Sequence, residues 1–429
     1  MTAGIALAVL LLVLGSSIAV AAGMAIVGLI LNEAYSPMPL SRMMGELAWS
    51  TTSNFILTAI PFYIMFGEIL LRSGIAERMY NALVQWLSWL PGGLMHSNIG
   101  SCALFGSVSG SSVATAATIG VVAIGEIEKH RYNERLFLGT LAAGGTLGIL
   151  IPPSINMIIY GVMTDTSIPK LYLAGFLPGL ILTVLFSLTV LVACLWRPRW
   201  GGRRIQTSWR ERWRTLPDLL PPLVLLAIVV GAIFFGFATA TESAAVGILG
   251  ALVITAWRGR LNLAMLREVC EGTARTTAMV AAILVGAFFL NVVIQTIGLT
   301  QQLGRLIREY QLTPAQVLGA VIFLYLVLGT FMEELSMMIS TIPITTPLVL
   351  QAGYDPVWFG VLLVLLIQTA MISPPFGINI FVIHGIRGRG RLTDVELGSA
   401  PFVIALLLMI ALICVWPDIV LWAPRMFGQ

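Results

Sequence analysis

Charged side chains are scarce in this chain. Asp, Glu, Lys and Arg make up 10% of its 429 residues, whereas a soluble domain carries roughly 25%. Hydrophobic residues make up 58% of the chain, which predicts an integral protein of the lipid bilayer with about a dozen membrane segments. The net charge of +4 is spread over loops, so it indicates membrane orientation rather than nucleic-acid binding.

Signatures of several other protein classes are also missing. The sequence has no GxxxxGK(S/T) motif, so ATP does not drive it directly. Its four cysteines form no CxxC pair and are predicted to be free packing residues, and its three histidines are too scattered for a metal cluster. We find neither a hydrolytic nucleophile–base–acid set nor a DDxxD cluster of acidic metal ligands. We therefore expect no enzyme activity and no cofactor.

Two Pro-Pro motifs stand out in the apolar sequence. They read ILIPPSINMIIYG (149–161) and MISPPFGINIFVIHG (371–385) and lie about 222 residues apart. Proline inside a membrane helix leaves carbonyls unpaired, which is tolerated where they line a cavity or a site. The motifs predict two broken helices, over 136–162 and 357–385. Such breaks at matching positions of two halves point to the binding site of a secondary transporter, although simple proline kinks are the alternative.

Two further apolar stretches carry a small, polar centre. Residues 92–124 contain GSVSGSS (106–112), and residues 314–350 contain GTFMEELS (329–336). Each stretch is too long and too polar at its centre for one simple helix. We interpret both as re-entrant helical hairpins that enter and leave the membrane on the same side.

The basic residues support this topology. With the N-terminus in the cytoplasm and both hairpins re-entrant, nineteen of the 24 Lys and Arg residues fall in cytoplasmic loops, as the positive-inside rule requires. The first apolar stretch, from about residue 3 to 31, lacks the basic start of a cleaved signal and is predicted to be a retained helix. The predicted topology is multi-pass.

The halves read as inverted repeats. Gly106 aligns with Gly329 and Thr118 with Thr341, both at an offset of 223. The predicted fold class is an all-α polytopic membrane protein with two inverted repeats, each holding a hairpin and a broken helix. The repeats span 1–196 and 218–429, and the basic segment 197–217 connects them as an amphipathic cytoplasmic helix.

The hairpin centres and the breaks supply the candidate binding groups. Glycines and serines at the first tip can bind two kinds of ligand. Backbone carbonyls suit a sodium ion, and N–H groups at a helix N-terminus suit a carboxylate. Packing of helices through small residues is the alternative interpretation. Glu333 and Glu334 at the second tip are candidates for a sodium ligand, a proton carrier or a gate, or else are solvated by an aqueous cavity. Glu242 is interpreted as a helix-start residue.

At these motifs the chain resembles the large membrane subunit of a tripartite ATP-independent periplasmic (TRAP) transporter, a member of the wider ion-transporter superfamily. The segments that carry the resemblance are GSVSGSSVATAATIG (106–120), ILIPPSINMIIYG (149–161), TESAAVGILGA (241–251), GTFMEELSMMISTIPITTP (329–347) and SPPFGINIFV (373–382). The resemblance implies a sodium-driven elevator transporter that works with a separate small membrane subunit. It also implies a location in the bacterial inner membrane and a soluble periplasmic substrate-binding protein that delivers an organic acid such as a dicarboxylate or sialic acid.

The predicted site combines the resemblance with the motifs above. The predicted sodium-binding residues are Ser107, Ser109, Gly110, Pro152, Asn156, Gly329, Thr330, Glu333, Thr341, Pro374 and Asn379. The predicted substrate-binding residues are Ser111, Ser112, Thr115, Asn156 and Asn379. No arginine lies at either tip, so the binding protein is expected to set much of the selectivity.

Two rival functions remain open from the sequence. The first is a stand-alone sodium/carboxylate symporter or a sodium/proton antiporter of the same superfamily, which would need no binding protein. The second is a membrane-embedded prenyl or lipid transferase, for which acidic metal ligands at the membrane interface would be required.

Overall fold

The computed structural model describes residues 19–36, 38–203, 205, 207–330 and 332–427, with only the backbone at position 306. Within these ranges the chain is helical and contains no β-strand. Residues 3–18 of the predicted first helix lie outside the described residues. Five helices in the described part are long and apolar enough to cross a membrane, or six if one bent pair is a single span. The predicted all-helical membrane fold is therefore confirmed.

The helices follow one another with short connections. The first half contains α1 (Val20–Tyr35), α2 (Met44–Thr52), α3 (Ala59–Arg72), α4 (Ile75–Leu87), α5 (Gly93–Ser109), α6 (Ser112–Ala123), α7 (Glu126–His130), α8 (Glu134–Thr146), α9 (Ile155–Thr164) and α10 (Ile168–Trp196). The second half contains α11 (Trp209–Thr215), α12 (Leu220–Phe234), α13 (Ala240–Trp257), α14 (Leu263–Thr296), α15 (Leu299–Glu309), α16 (Pro314–Leu328), α17 (Glu334–Gln351), α18 (Pro356–Ile372), α19 (Ile378–Arg387), α20 (Leu392–Val415) and α21 (Asp418–Phe427).

Helices α5 and α6 form the first hairpin. Helix α5 ends where Gly110 adopts φ +63°, a left-handed conformation that glycine reaches without strain. Ser111 then caps α6, because its hydroxyl accepts a hydrogen bond from the Ala114 amide at 3.4 Å. The chain therefore reverses within two residues.

Helices α16 and α17 form the second hairpin. Thr313 and Gln316 make a capping box at the start of α16, with Pro314 in the first turn. Inside the hairpin, the Tyr325 hydroxyl bonds the hydroxyls of Thr341 at 2.5 Å and Thr345 at 3.0 Å. These buried hydrogen bonds join the two helices of the hairpin.

Both Pro-Pro pairs interrupt helices. The first lies between α8 and α9, after a 3₁₀ turn at Leu147–Ile149, and the second lies between α18 and α19. Both Pro-Pro peptide bonds are cis. Ser154 restarts the first helix, accepting from the Met157 amide at 3.4 Å and donating to the Ile149 carbonyl at 2.6 Å. Proline lacks the N–H needed to continue the ladder, which explains both breaks.

The broken helices join the two hairpins. Helix α8 packs on both helices of the first hairpin, and α18 packs on both helices of the second. After each break, the helix contacts the hairpin of the other half: α9 contacts α17 of the second hairpin, and α19 contacts α6 of the first hairpin. Two glycines before the first break permit close packing, since a Cβ would lie 3.0 Å from Cys102 Cβ at Gly144 and 2.7 Å from Ala116 Cβ at Gly145.

Other helices surround this centre. Helix α14 packs on α1 and α3, and α13 packs on α3 and α12. On another side, α20 packs on α8 and α10. Glu242 lies in a capping box with Thr239 at the start of α13, as interpreted from the sequence.

Two local predictions were wrong. In its described residues, the connector 197–217 is not one amphipathic helix but a 3₁₀ turn, Pro198–Gly201, followed by the short α11. Cys270 is exposed rather than packed.

Candidate functional site

One cavity lies where the hairpin tips meet the surrounding helices. Its volume is about 290 Å³. Ser109, Gly110 and Ser111 line it from the first tip, Asn156 from the first break, and Glu333 from the second tip. All five are predicted site residues. The cavity therefore brings one break and both hairpin tips to a common space.

Helices α3 and α14 close the cavity on its other side. Ile64, Gly67 and Glu68 contribute from α3, and Thr276 and Met279 from α14. Contact with the first hairpin is tight, because a Cβ at Gly67 would lie 2.8 Å from the Ser109 carbonyl oxygen. The binding space therefore lies between the hairpins and a separate helical layer.

Three helices begin at this cavity. They are α6 at Ser112, α9 at Ile155 and α17 at Glu334, and the adjoining residues Ser111, Asn156 and Glu333 line the cavity. A helix N-terminus presents unpaired N–H groups and a partial positive charge. The arrangement suits an anionic group, which free backbone N–H groups can bind.

The two glutamates of the second tip have different environments. Glu333 is the N-cap of α17, and its Oε2 accepts from the Ser336 amide at 3.0 Å and the Ser336 hydroxyl at 2.9 Å. Glu334 is only 8% exposed, and its Oε2 has no hydrogen-bond partner. Across the cavity, Glu68 forms an ion pair with Arg72. Among the three described glutamates that line the cavity, Glu334 alone has an unpartnered, buried carboxylate oxygen.

Asn156 is the second unpartnered polar group. Its side chain is 1% exposed, and its Nδ2 has no hydrogen-bond partner. Buried polar atoms are normally satisfied, so an unpaired amide facing a cavity is a candidate ligand contact.

Asn379 lies outside the cavity lining and joins the second broken helix to the first hairpin. Its Nδ2 donates to Ser112 Oγ at 2.8 Å and to the Ala142 carbonyl at 2.9 Å, and its Oδ1 has no partner. Thr115 is also fully buried, with its hydroxyl 2.9 Å from Ser109 Oγ and 2.6 Å from the Ser111 carbonyl. These residues form a polar layer behind the first tip.

The remaining predicted site residues lie away from the cavity lining. They are Ser107, Pro152, Gly329, Thr330, Thr341 and Pro374. The Ser107 hydroxyl donates to the Leu104 carbonyl, and the Thr330 hydroxyl donates to the Val327 carbonyl. Gly329 packs closely on Ala370. Pro152 is buried, whereas Pro374 is exposed on this chain, so the two breaks differ in their surroundings.

Sequence reasoning missed Gln368 and Gly67. Gln368 is fully buried on α18, and its Nε2 donates to the Thr146 carbonyl at 2.8 Å, at the end of α8. Its polar side chain in the apolar run VLLVLLIQTAMI (361–372) was a usable signal. Gly67 carried no comparable signal, because its role depends on the approach of Ser109.

A polytopic helical fold with two hairpins and two broken helices, and with a cavity between both hairpin tips and the first break, is typical of a membrane transport protein. The family model described as "Tripartite ATP-independent periplasmic transporter, DctM component" matches residues 5–419. The chain belongs to this family and is a large membrane component of a TRAP transporter.

Individual relatives agree with this assignment. The sialic acid TRAP transporter large permease protein SiaM of Vibrio cholerae is 32% identical over 87% of each chain. The C4-dicarboxylate TRAP transporter large permease protein DctM of Rhodobacter capsulatus is 32% identical over 88% of each chain. The YdaH transporter of Alcanivorax borkumensis shares the fold, with a TM-score of 0.65 and 14% identity over 97% of this chain and 98% of its own.

Proposed function

We propose that this chain is the sodium-driven permease of a three-component system that imports an organic acid. A periplasmic binding protein delivers the acid, and a separate small membrane subunit completes the membrane complex. The family supports a partnership of three components, since its description is tripartite. The chain acts as a transporter and not as an enzyme, in keeping with relatives that are named permeases.

One observation carries the proposal, namely the cavity shared by Ser109, Gly110, Asn156 and the second tip. The acid group of the cargo binds at the N-termini of α6 and α9, where the first backbone N–H groups have no partner within the helix. Sodium binds where α5 ends and the first break leaves carbonyls free. Occupation by sodium brings a positive charge beside the cargo and thereby couples their binding.

The two-layer arrangement of the cavity supports an elevator movement. The hairpins and broken helices form one packed unit, while α3 and α14 line the opposite wall. In the proposed cycle the packed unit carries cargo and sodium across the membrane against the α3 and α14 layer. The smooth contact at Gly67 is suited to such sliding because no side chain projects there.

The proposed location is the bacterial inner membrane with a cytoplasmic N-terminus. The proposed division into inverted repeats, 1–196 and 218–429, is supported by the spacing of the elements. Helices α6 and α17 begin 222 residues apart, and α9 and α19 begin 223 residues apart. The excess of Lys and Arg in the predicted cytoplasmic loops supports the orientation.

The decisive experiment is uptake into proteoliposomes that contain the permease and its small membrane subunit. An inward sodium gradient should drive uptake of the acid only when the binding protein is present, and a sodium ionophore should abolish it. Uptake without the binding protein would favour a stand-alone symporter. Uptake driven by a proton gradient in the absence of sodium would contradict the proposed coupling.

A further inference from the structure

Resting on the proposed function, we infer that the cargo is a small zwitterion, an organic acid that also carries an ammonium group. Two residues that line the cavity carry unpartnered, buried polar atoms, one an acceptor, Glu334 Oε2, and one a donor, Asn156 Nδ2. Each matches one end of such a molecule.

The acidic end of the cargo fits the side of the cavity formed by the first hairpin and the first break. Helices α6 and α9 begin there, and they contain 12 and 10 residues. Ser111 and Asn156 lie at these two starts and line the cavity. The unpartnered Asn156 Nδ2 adds a donor to the backbone N–H groups, and together they bind a carboxylate.

The acidic residues of the cavity need a cation. Glu333 and Glu334 line the cavity from the second tip and Glu68 lines it from α3, and no Lys, Arg or His occurs among the described lining residues. Arg72 already compensates Glu68, and the start of α17 compensates Glu333. Glu334 remains 92% buried with a free oxygen, because its exposed fraction is 8%. A buried carboxylate needs a charged partner, and a cargo ammonium group supplies one.

The size of the cavity favours a small molecule over a bare ion. Its volume of about 290 Å³ equals roughly ten water molecules at ~30 Å³ each. That space is much larger than a lone sodium ion and lies at the small end of ligand pockets, which begin near ~300 Å³. A compact amino acid fits this space, with its acid group at the first tip and the first break and its ammonium group at Glu334 of the second tip.

The test uses probes that differ only in the ammonium group. The pairs are alanine and propionate, 4-aminobutyrate and butyrate, and glutamate and glutarate. Thermal stabilisation of the permease with its small membrane subunit, in sodium-containing buffer, is measured against probe concentration. We expect one ammonium probe to reach half-saturation at a concentration about tenfold lower than its partner. Glu334→Gln should remove this difference, Glu334→Asp should restore part of it, and the exposed control Glu271→Gln should preserve it.

Several outcomes would overturn the inference. These are equal stabilisation by both members of every pair, no stabilisation by any probe, or a difference that persists in Glu334→Gln. A fourth is a Glu334→Gln variant that changes the half-saturating sodium concentration but keeps the difference, since Glu334 would then be a sodium ligand. Sodium-driven uptake of a carboxylate without an ammonium group would also overturn the inference, but it would leave the proposed function standing. Loss of sodium-driven uptake for every cargo of the binding protein would instead overturn the proposed function.

Discussion

Asn379 and Ser112 join the two halves of the chain, with Asn379 Nδ2 2.8 Å from Ser112 Oγ across 267 residues of sequence. Both side chains are fully buried. Asn379 is the second residue of α19, the second part of one broken helix, and Ser112 begins the second helix of the other half's hairpin. A single hydrogen bond thus links the second break to the tip of the first hairpin.

This contact gives the first prediction. Asn379→Ala removes two buried hydrogen bonds and leaves the Ala142 carbonyl without a side-chain donor. It should lower the free energy of unfolding by about 1–3 kcal/mol. Because Ser112→Ala removes the same bond, the double variant should cost less than the sum of the single variants. Thermal unfolding in detergent measures this, and additive effects would contradict the coupling. Asn291→Ala is the partly exposed control.

The second prediction concerns Gly67, where α3 contacts the first hairpin. Gly67→Ala would place a Cβ 2.8 Å from the Ser109 carbonyl oxygen, so the first tip must shift. Sodium-driven uptake should fall about tenfold or more, equivalent to at least ~1.4 kcal/mol. Gly319→Ala is the matched helical control, since its Cβ would meet nothing within 4 Å, and it should leave uptake unchanged. Normal uptake by Gly67→Ala would refute the proposed close sliding contact.

The third prediction tests the hydrogen bonds of Tyr325 between the two helices of the second hairpin. Tyr325→Phe keeps the buried ring but removes the hydroxyl that bonds Thr341 and Thr345. The free energy of unfolding should fall by about 1–2 kcal/mol, the usual loss for buried hydroxyl contacts. Tyr310, whose side chain is 71% exposed, is the control, and Tyr310→Phe should have no effect. Equal melting temperatures for both variants would argue against a structural role of the hydroxyl.

The fourth prediction concerns Arg387 at the end of the second broken helix. Its side chain is 6% exposed and pairs with Glu134 at 2.8 Å and with Asp394 at 3.3 Å. The partners are partly exposed, so solvent screens the pairs and Arg387→Ala should cost about 1–3 kcal/mol rather than the full cost of a buried pair. Arg267→Ala, at a side chain that is 81% exposed and pairs with Glu271, should cost well under ~1 kcal/mol. The loss at Arg387 should shrink at high salt, and its absence at low salt would contradict the pairing.

Some features were predictable because they depend on the chain alone. Proline has no amide hydrogen, so the pairs Pro152-Pro153 and Pro374-Pro375 had to interrupt their helices. Gly110 and Ser111 supply a left-handed residue and a cap, the chemistry of a tight reversal between helices. The breaks and the first tip are where these residues predicted them.

Other features depend on packing between distant segments. Nothing in the sequence pairs Asn379 with Ser112, or Gln368 with the Thr146 carbonyl, because each contact requires the final crossing of helices from different halves. Adjacent glutamates were also indistinguishable by residue type. The start of α17 makes Glu333 the cap and buries Glu334, and a start one residue later would exchange their roles.

The central claim is that both hairpin tips and the first break form one cargo site. The most direct test is the initial rate of sodium-driven uptake by Asn156→Leu, which keeps the branched shape of the side chain and removes the amide, beside Ser109→Ala. The exposed control is Ser50→Ala. We predict that both site variants lose about tenfold or more of the wild-type rate while the control retains it. Wild-type uptake by Asn156→Leu and Ser109→Ala would contradict the account.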